Sequence, residues 1–462
     1  MEAQVVVVPF GESYAEDTLV KHLVKIDKIH IKGNKKTKDF IITRELSLSE
    51  GEFVAIEDLY DVMMRDRRKI INTRLFTKVE MTAIPSSERL YDVLVEVQER
   101  WYIVAAPIFQ LADRNFNDWW VNQERDLSRV NIGGKFVHYN FRGRSEKLSL
   151  IAQFGYSRDI RLGYYVPYID QTRKNGMGVS FAYSENSNVP IETEGHKRLF
   201  FGQDEPIREI YAAGVNFVRR ASFYNTHTAF LSFYSNNLAD TVLELNPDYL
   251  LTGKNTMRYF VLSYLFRRDL RDIRSYPLRG FMIQAELSKR GIGLFNDINS
   301  FSMEASYHHH FPLGHKFFFS NSITGRLTAP EKLPYSLLSG LGYGGNYIRG
   351  FELYVIEGQH FAINKSELRF QLVKEEINLG KLMPLEQFRY FPIAVYPKMY
   401  FDVGSIHMPF SYPKNEAFSN KLIWGAGLGL DIVSFYDFVF RTEYTFTSEG
   451  ERGFFLNFAS GI

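Results

Sequence analysis

The stretch Lys398-Met399-Tyr400-Phe401-Asp402-Val403-Gly404 decides the fold. Read at period two, Met399, Phe401 and Val403 share one face, and Lys398, Tyr400 and Asp402 share the other. Successive side chains of a strand point to opposite sides, so one face is apolar and the other charged. Its neighbours repeat the pattern. Leu368, Phe370 and Leu372 oppose Lys365, Glu367, Arg369 and Gln371; Leu422, Trp424, Ala426, Leu428 and Leu430 oppose Gly425, Gly427, Gly429 and Asp431. A soluble sandwich needs a second apolar face to build its core, and none is found here. A barrel wall between lipid and a polar interior needs only this one. The apolar sets are therefore expected to face lipid, with Glu367 and Asp402 pointing inward.

Composition agrees. Among 462 residues, 40 are Phe, 28 Tyr and only 4 Trp, and 16% are aromatic. A mean hydropathy of −0.22 is too polar for a helical membrane protein, and no run of about 18 uncharged apolar residues exists. The net charge of +2, without a basic run, points to no nucleic-acid partner. The absence of cysteine excludes disulfide scaffolds, thiolate metal sites and cysteine nucleophiles.

Strand-like runs continue in both directions: 101–111, 130–141, 146–157, 160–168, 176–186, 207–220, 224–235, 256–268, 279–290, 298–311, 315–328, 361–372, 391–402, 420–432, 436–447 and 452–461. Short connections recur at alternate positions (Arg142-Gly143-Arg144, Ala221 to Asn225, Pro312-Leu313-Gly314, Ser434-Phe435), and most of the long ones fall between them. Short turns at one end and long loops at the other mark a transmembrane β-barrel, here of 16 antiparallel strands over 101–462. An even count closes the sheet without a free edge, as lipid demands.

The first hundred residues read differently. Residues 1–22 form an N-terminal extension containing Val5-Val6-Val7-Val8. It has no basic n-region, so the numbering is expected to be that of a mature or recombinant form. Residues 23–100 are expected to form a small β-α-α-β-β module: a strand from Ile26 to Asn34, then a helix capped by Thr37 and running to about Leu46. A second helix carries Ile56, Leu59, Tyr60, Met63, Ile70 and Ile71 on one face. Strands Thr77 to Ala83 and Tyr91 to Val97 close the sheet. Its exposed edge suits docking of another chain by β-augmentation.

Two motifs remain. Ser339-Gly340-Leu341-Gly342-Tyr343-Gly344-Gly345-Asn346-Tyr347 leads into Ile348-Arg349-Gly350-Phe351, and Phe401-Asp402-Val403-Gly404 follows about fifty residues later. Charges in a membrane barrel are costly unless paired, which suggests that Arg349 and Asp402 meet. Glycines 340 to 345 precede no helix, so a phosphate loop is not expected. Alternation puts His309 on the face opposite His308 and His310, so these are expected to be rim histidines, not a metal site.

The arginine loop and strand carboxylate resemble those of the BamA/TamA-type outer-membrane insertase superfamily, which includes the two-partner secretion translocators. The first module resembles a single POTRA domain, with Ile29, Gly33-Asn34, Thr37, Arg44-Glu45-Leu46, Gly51, Leu75-Phe76 and Val93-Val95 as its markers. The resemblance implies that loop 329–360, the sixth extracellular loop, folds into the lumen. There Arg349, Gly350 and Phe351 would meet Glu367 of strand 12 and Tyr400, Asp402 and Gly404 of strand 13. Phe351 is expected to pack on luminal aromatics such as Tyr400. A guanidinium can bridge two carboxylates, and a water-filled lumen is expected to weaken that pairing to about 1 kcal/mol. Gly425, Gly427 and Gly429 would leave room for the loop or bend the wall.

No Ser/His/Asp set stands out, and among 53 acidic residues a chance pair proves nothing, so a non-enzyme is expected. The same resemblance implies no cofactor and places the protein in the outer membrane of a Gram-negative bacterium, with its POTRA module in the periplasm. It would insert or translocate proteins through a seam between 101–111 and 452–461. Its partners would be outer-membrane protein clients or accessory periplasmic or lipoprotein subunits, together with membrane lipids. The alternative is a closed scaffold or passive channel whose POTRA module anchors partner proteins. The chain departs from the family in having one POTRA module where larger insertases carry several, and in ending Phe458-Ala459-Ser460-Gly461-Ile462 without a terminal aromatic.

Overall fold

The computed structural model describes residues 5–7, 22–113, 115–295, 297–343, 345–380, 383, 389–410, 413–434 and 438–459. Most of the N-terminal extension, Gly344, the expected turn residue Phe435 and the final Ser460-Gly461-Ile462 lie outside these. Two compact units divide the chain. The first is Met1–Ile103 with His138–Lys147 and Glu375–Phe391; the second is Val104–Val137, Leu148–Lys374 and Pro392–Ile462.

In the first unit, β1 (Val5–Val7), β2 (Leu23–Lys32), β3 (Phe53–Ala55), β4 (Phe76–Ser87) and β5 (Leu90–Glu99) form a sheet in the order β1-β4-β5-β2-β3. Helices α1 (Asp39–Thr43) and α2 (Ile56–Ile71) complete the module. Its core holds Ile26, Ile41, Ile42, Leu59, Met63, Ile70, Val79, Met81, Val93 and Val95.

Two expectations are corrected here. Thr37 does not cap α1, which ends at Thr43; the N-cap is Lys38, with no side-chain cap. The Thr37 hydroxyl instead pairs with the Tyr102 hydroxyl at 2.8 Å and accepts from Asn140 Nδ2 at 2.8 Å. Tyr60 is exposed, and Asp66 joins Leu59, Met63 and Ile70 as a buried position of α2. The Asp66 carboxylate accepts from Ser47 N–H at 2.8 Å and Lys69 Nζ at 2.7 Å, which satisfies its buried charge. The outer edge of β4 is covered by β1, which pairs with it in parallel from Val5↔Met81 to Val7↔Ala83.

The sixteen barrel strands are β6 (Ile103–Leu111), β7 (Val130–Phe141), β8 (Glu146–Gly155), β9 (Ser157–Val166), β10 (Asn175–Asn186), β13 (Arg208–Arg220), β14 (Asn225–Leu238), β15 (Thr256–Asp269), β16 (Gly280–Arg290), β17 (Ser300–Gly314), β18 (Phe317–Ala329), β19 (His360–Phe370), β21 (Tyr390–His407), β22 (Leu422–Ser434), β23 (Val439–Thr447) and β24 (Arg452–Ala459). They close into one barrel in which β24 lies beside β6. β20 (Val373–Asn378) continues β19 beyond Gln371 and Leu372. A separate hairpin, β11 (Asn188–Glu194) with β12 (Lys197–Gly202), and two helices, α3 (Phe116–Val121) and α4 (Asp240–Leu245), occupy the longer loops.

The expected turn at Pro312-Leu313-Gly314 lies inside β17, at a bulge. The turn itself is His315-Lys316, with φ of 48° and 68°. Two consecutive positive φ values define the tight hairpin turn whose twist matches its strands, and without Asn or Gly it gives no sequence signal.

Period two sorts the side chains as the sequence implies. Met399, Phe401, Leu422, Trp424 and Leu428 are exposed, whereas Lys398, Tyr400, Asp402 and Asp431 are buried. His309 shares a face with Tyr307 and Phe311, and His310 turns to Ser320 at 2.8 Å.

Candidate functional site

The connection from β18 to β19 carries the arginine. Apolar residues hold it down: Leu341, Ile348, Phe351 and Ile356 pack with Phe361 and Ile363 of β19, Ile406 of β21 and Ile423 of β22. Gly350 adopts φ +95°, and a Cβ there would meet Thr447 Cγ2 at 2.5 Å. Both the turn and the tight fit require glycine. Its N–H donates to Glu352 Oε2 at 2.6 Å.

Arg349 then reaches three strands. Its Nε donates to Asp402 Oδ2 at 2.7 Å, its second terminal nitrogen to Asp402 Oδ1, and its backbone N–H to Asp402 Oδ2 at 3.2 Å. The remaining terminal nitrogen binds Glu367 Oε1 and lies 3.4 Å from Glu443 Oε1. The Tyr400 ring sits 3.8 Å from the guanidinium carbon, a cation–π contact. The Arg349 side chain is 4% exposed and that of Asp402 0%. This is not the screened pair expected of a water-filled lumen. Removing one partner of a buried pair costs about 3–5 kcal/mol, because it strands the other charge.

The surroundings explain how such charge is tolerated. Lys398 Nζ lies 2.8 Å from Asp431 and 2.7 Å from Glu443. Arg369 pairs with Glu367, and Arg441 Nε lies 3.8 Å from Asp431. The Tyr276 hydroxyl donates to Asp431 Oδ2 at 2.9 Å. The carboxylates Glu367, Asp402, Asp431 and Glu443 thus face the cations Arg349, Arg369, Lys398 and Arg441. Asn457 of β24 joins through a hydrogen bond to Glu443 Oε2 at 3.1 Å.

The glycines of β22 give way to this network. A Cβ on Gly425 would stand 1.9 Å from the Arg349 carbonyl oxygen. On Gly427 it would meet the Tyr444 carbonyl oxygen at 2.2 Å and the Tyr400 hydroxyl at 2.6 Å, and on Gly429 the Thr442 carbonyl oxygen at 2.8 Å and Lys398 Cε at 2.9 Å. Gly404 leaves space for the Ala362 carbonyl and Ile348.

The geometry brings Arg349, Glu367, Tyr400 and Asp402 into contact. Phe351 takes a different neighbour from the one expected: its rings are Tyr354 and Phe418, at 6.1 and 5.5 Å, while Tyr400 serves the guanidinium. Sequence reasoning placed Lys398, Arg369 and Asp431 on the inner face without assigning them a part, and missed Glu443 and Tyr276. For Glu443 a signal existed: it alternates with Tyr444 and Phe446 on an apolar-out strand. Tyr276 lies in a loop and gave none.

Known proteins place this arrangement. Residues 140–453 match the Omp85 superfamily domain, and residues 24–100 match the POTRA model described as a surface antigen variable number repeat. No curated protein matches the chain. Among solved structures, BamA from Haemophilus ducreyi lacking POTRA domains 1–3 is similar over 94% of this chain and 84% of its own, at 15% identity and a TM-score of 0.52. CdiB from Escherichia coli is similar over 94% of this chain and 75% of its own, at 13% identity and a TM-score of 0.54. CdiB from Acinetobacter baumannii aligns over 95% and 73%, at 13% identity and a TM-score of 0.50. With two thirds of its length matched to the family's defining domain and a sixteen-stranded barrel to match, this chain belongs to the Omp85 superfamily of outer-membrane β-barrels.

Proposed function

We propose that this protein inserts β-strand clients into the outer membrane, or translocates them, through the seam between β6 and β24. Residues 23–100 act as a periplasmic docking module and 101–462 as the barrel. The loop bearing Arg349 enters from the extracellular side and fills the lumen. The observation that carries this reading is the distribution of charge: the arginine loop is fixed to β19, β21 and β23, while among the described residues β24 donates a single side-chain hydrogen bond to that network, from Asn457 to Glu443. A wall cross-linked by buried ion pairs, beside a strand held chiefly by its backbone pairing with β23 and β6, favours opening at that strand. No nucleotide or metal is needed, since a client strand satisfies its own backbone by pairing. The chain acts as a non-enzyme, on protein clients and with protein partners at its POTRA module, where β1 already covers one sheet edge.

The test locks the seam. Cysteine pairs placed in register along β6 and β24 face no competing native thiol. Under oxidising conditions they should abolish client assembly, and reductant should restore it. Undiminished assembly with the seam fully cross-linked contradicts this reading and favours the closed scaffold or channel.

A further inference from the structure

The first long loop carries α3, a short helix built to stay folded. Asn115 caps it by accepting from Asp118 N–H at 2.8 Å, and Asn122 Nδ2 donates back to Asp118 at 2.7 Å. Phe116, Trp119 and Trp120 pack on one another with ring centroids 5.4 to 6.1 Å apart. The helix is tied to the arginine loop: Asn115 Nδ2 donates to the Glu352 carbonyl at 2.9 Å, and Asn122 Nδ2 to the Leu353 carbonyl at 3.0 Å.

Between these ties Asn117, buried, does something unusual for a loop side chain. Its Nδ2 donates to the Leu456 carbonyl at 3.3 Å, and its Oδ1 accepts from Leu456 N–H at 3.3 Å. A side-chain amide offering one donor and one acceptor reproduces the paired bonds that a strand residue would make. In an antiparallel ladder the N–H and C=O of one residue point to the same side. Leu456 stands opposite Thr442 of β23 in the register. With both its backbone groups bound to Asn117, Leu456 faces away from β23, toward the side where β6 lies. A cavity of about 320 Å³, lined by Phe116, Tyr347, Glu352, Arg441, Leu456 and Phe458, adjoins this contact.

We infer that Asn117 is a latch: its side-chain amide stands in for a strand on the seam-facing edge of β24, and α3 must release Leu456 before an incoming extended chain can pair there. The inference rests on the proposed seam function. It adds a positioning residue, and it joins the arginine loop to the seam through Asn115 and Asn122.

The test uses the full chain folded in liposomes, with Asn117→Ala, Asn117→Leu and Asn117→Asp. Asn117→Ala and Asn117→Leu should speed hydrogen exchange of the Leu456 amide at least ~10-fold, while Leu428 and Tyr444, paired across β22 and β23, stay unchanged. Asn117→Asp keeps an acceptor for Leu456 N–H and should keep that amide protected, so it carries the test if the other variants fold poorly. With a urea-unfolded eight-stranded barrel as the probe, Asn117→Ala should raise the initial insertion rate several-fold. Unchanged exchange at Leu456 in Asn117→Ala overturns the latch. Faster exchange with an unchanged rate overturns its part in gating. If the wild type shows no insertion and locking β6 to β24 changes nothing, the proposed function fails instead, and the exchange result stands apart from it.

Discussion

The wall formed by β19 and β21–β23 and the strand beside it, β24, are built in opposite ways. The wall carries interlocked charges, several of them fully buried, and a loop driven into it by an arginine that bonds to or lies close to three carboxylates. Beyond its backbone pairing with β23 and β6, β24 is tied, among the described residues, by side-chain amides: Asn457 to Glu443 on the inner face, and Asn117 to Leu456 at the edge. The difference teaches where this barrel can yield. Breaking the wall strands charges in a low-dielectric interior, whereas freeing β24 costs hydrogen bonds that an incoming strand replaces. Firmness on one side confines movement to the other.

The sharpest way to break the comparison is to weaken the firm side. Arg349→Ala leaves Asp402, 0% exposed, without its cation and should cost about 3–5 kcal/mol. Heat-modifiable gel mobility should shift to lower temperature, and residues 340–360 should become open to protease, with the POTRA module still folded. Arg349→Lys should rescue only part, since an ammonium cannot fork between carboxylates. Unchanged melting and protection would show that the wall does not depend on the arginine.

A smaller effect is expected at Gly425. A methyl group there would stand 1.9 Å from the Arg349 carbonyl oxygen, which is backbone and cannot swing aside. Gly425→Ala should therefore lift the loop, with a destabilisation of about 1–3 kcal/mol. Equal melting of Gly425→Ala and wild type would mean that the glycine only bends the strand. Smallest of all should be the effect of releasing Asn117, felt at the β24 edge and not in global melting.

How much of this is legible in the sequence depends on period. Strands with alternating apolar and charged residues, such as 398–404, announce their faces, and alternation alone turns Glu367 and Asp402 inward. The arginine is legible because a charge in such a region needs a partner. What alternation does not reveal is long-range placement. Glu443 and Lys398 sit on strands whose faces are readable, yet only the register brings them to Arg349. The degree of burial escapes the sequence because it depends on how completely Ile348, Phe351 and Ile356 seal the loop. Helix α3 and the β11–β12 hairpin escape it too: each is short, and their loops follow tertiary contacts rather than a repeating pattern. Thr37 fails as a cap for the same reason, its hydroxyl being claimed by Tyr102 and Asn140.

The central claim, a fixed wall beside a lightly held strand, is tested most directly by strand-resolved hydrogen exchange on the full chain in a lipid bilayer. Amides of β21 and β22 should exchange slowest of all, and those on the seam-facing edge of β24, Leu456 among them, should exchange orders of magnitude faster without global unfolding. Equal protection of β22 and β24 would contradict the account, because it would mean that the seam is as firmly closed as the wall that holds the arginine.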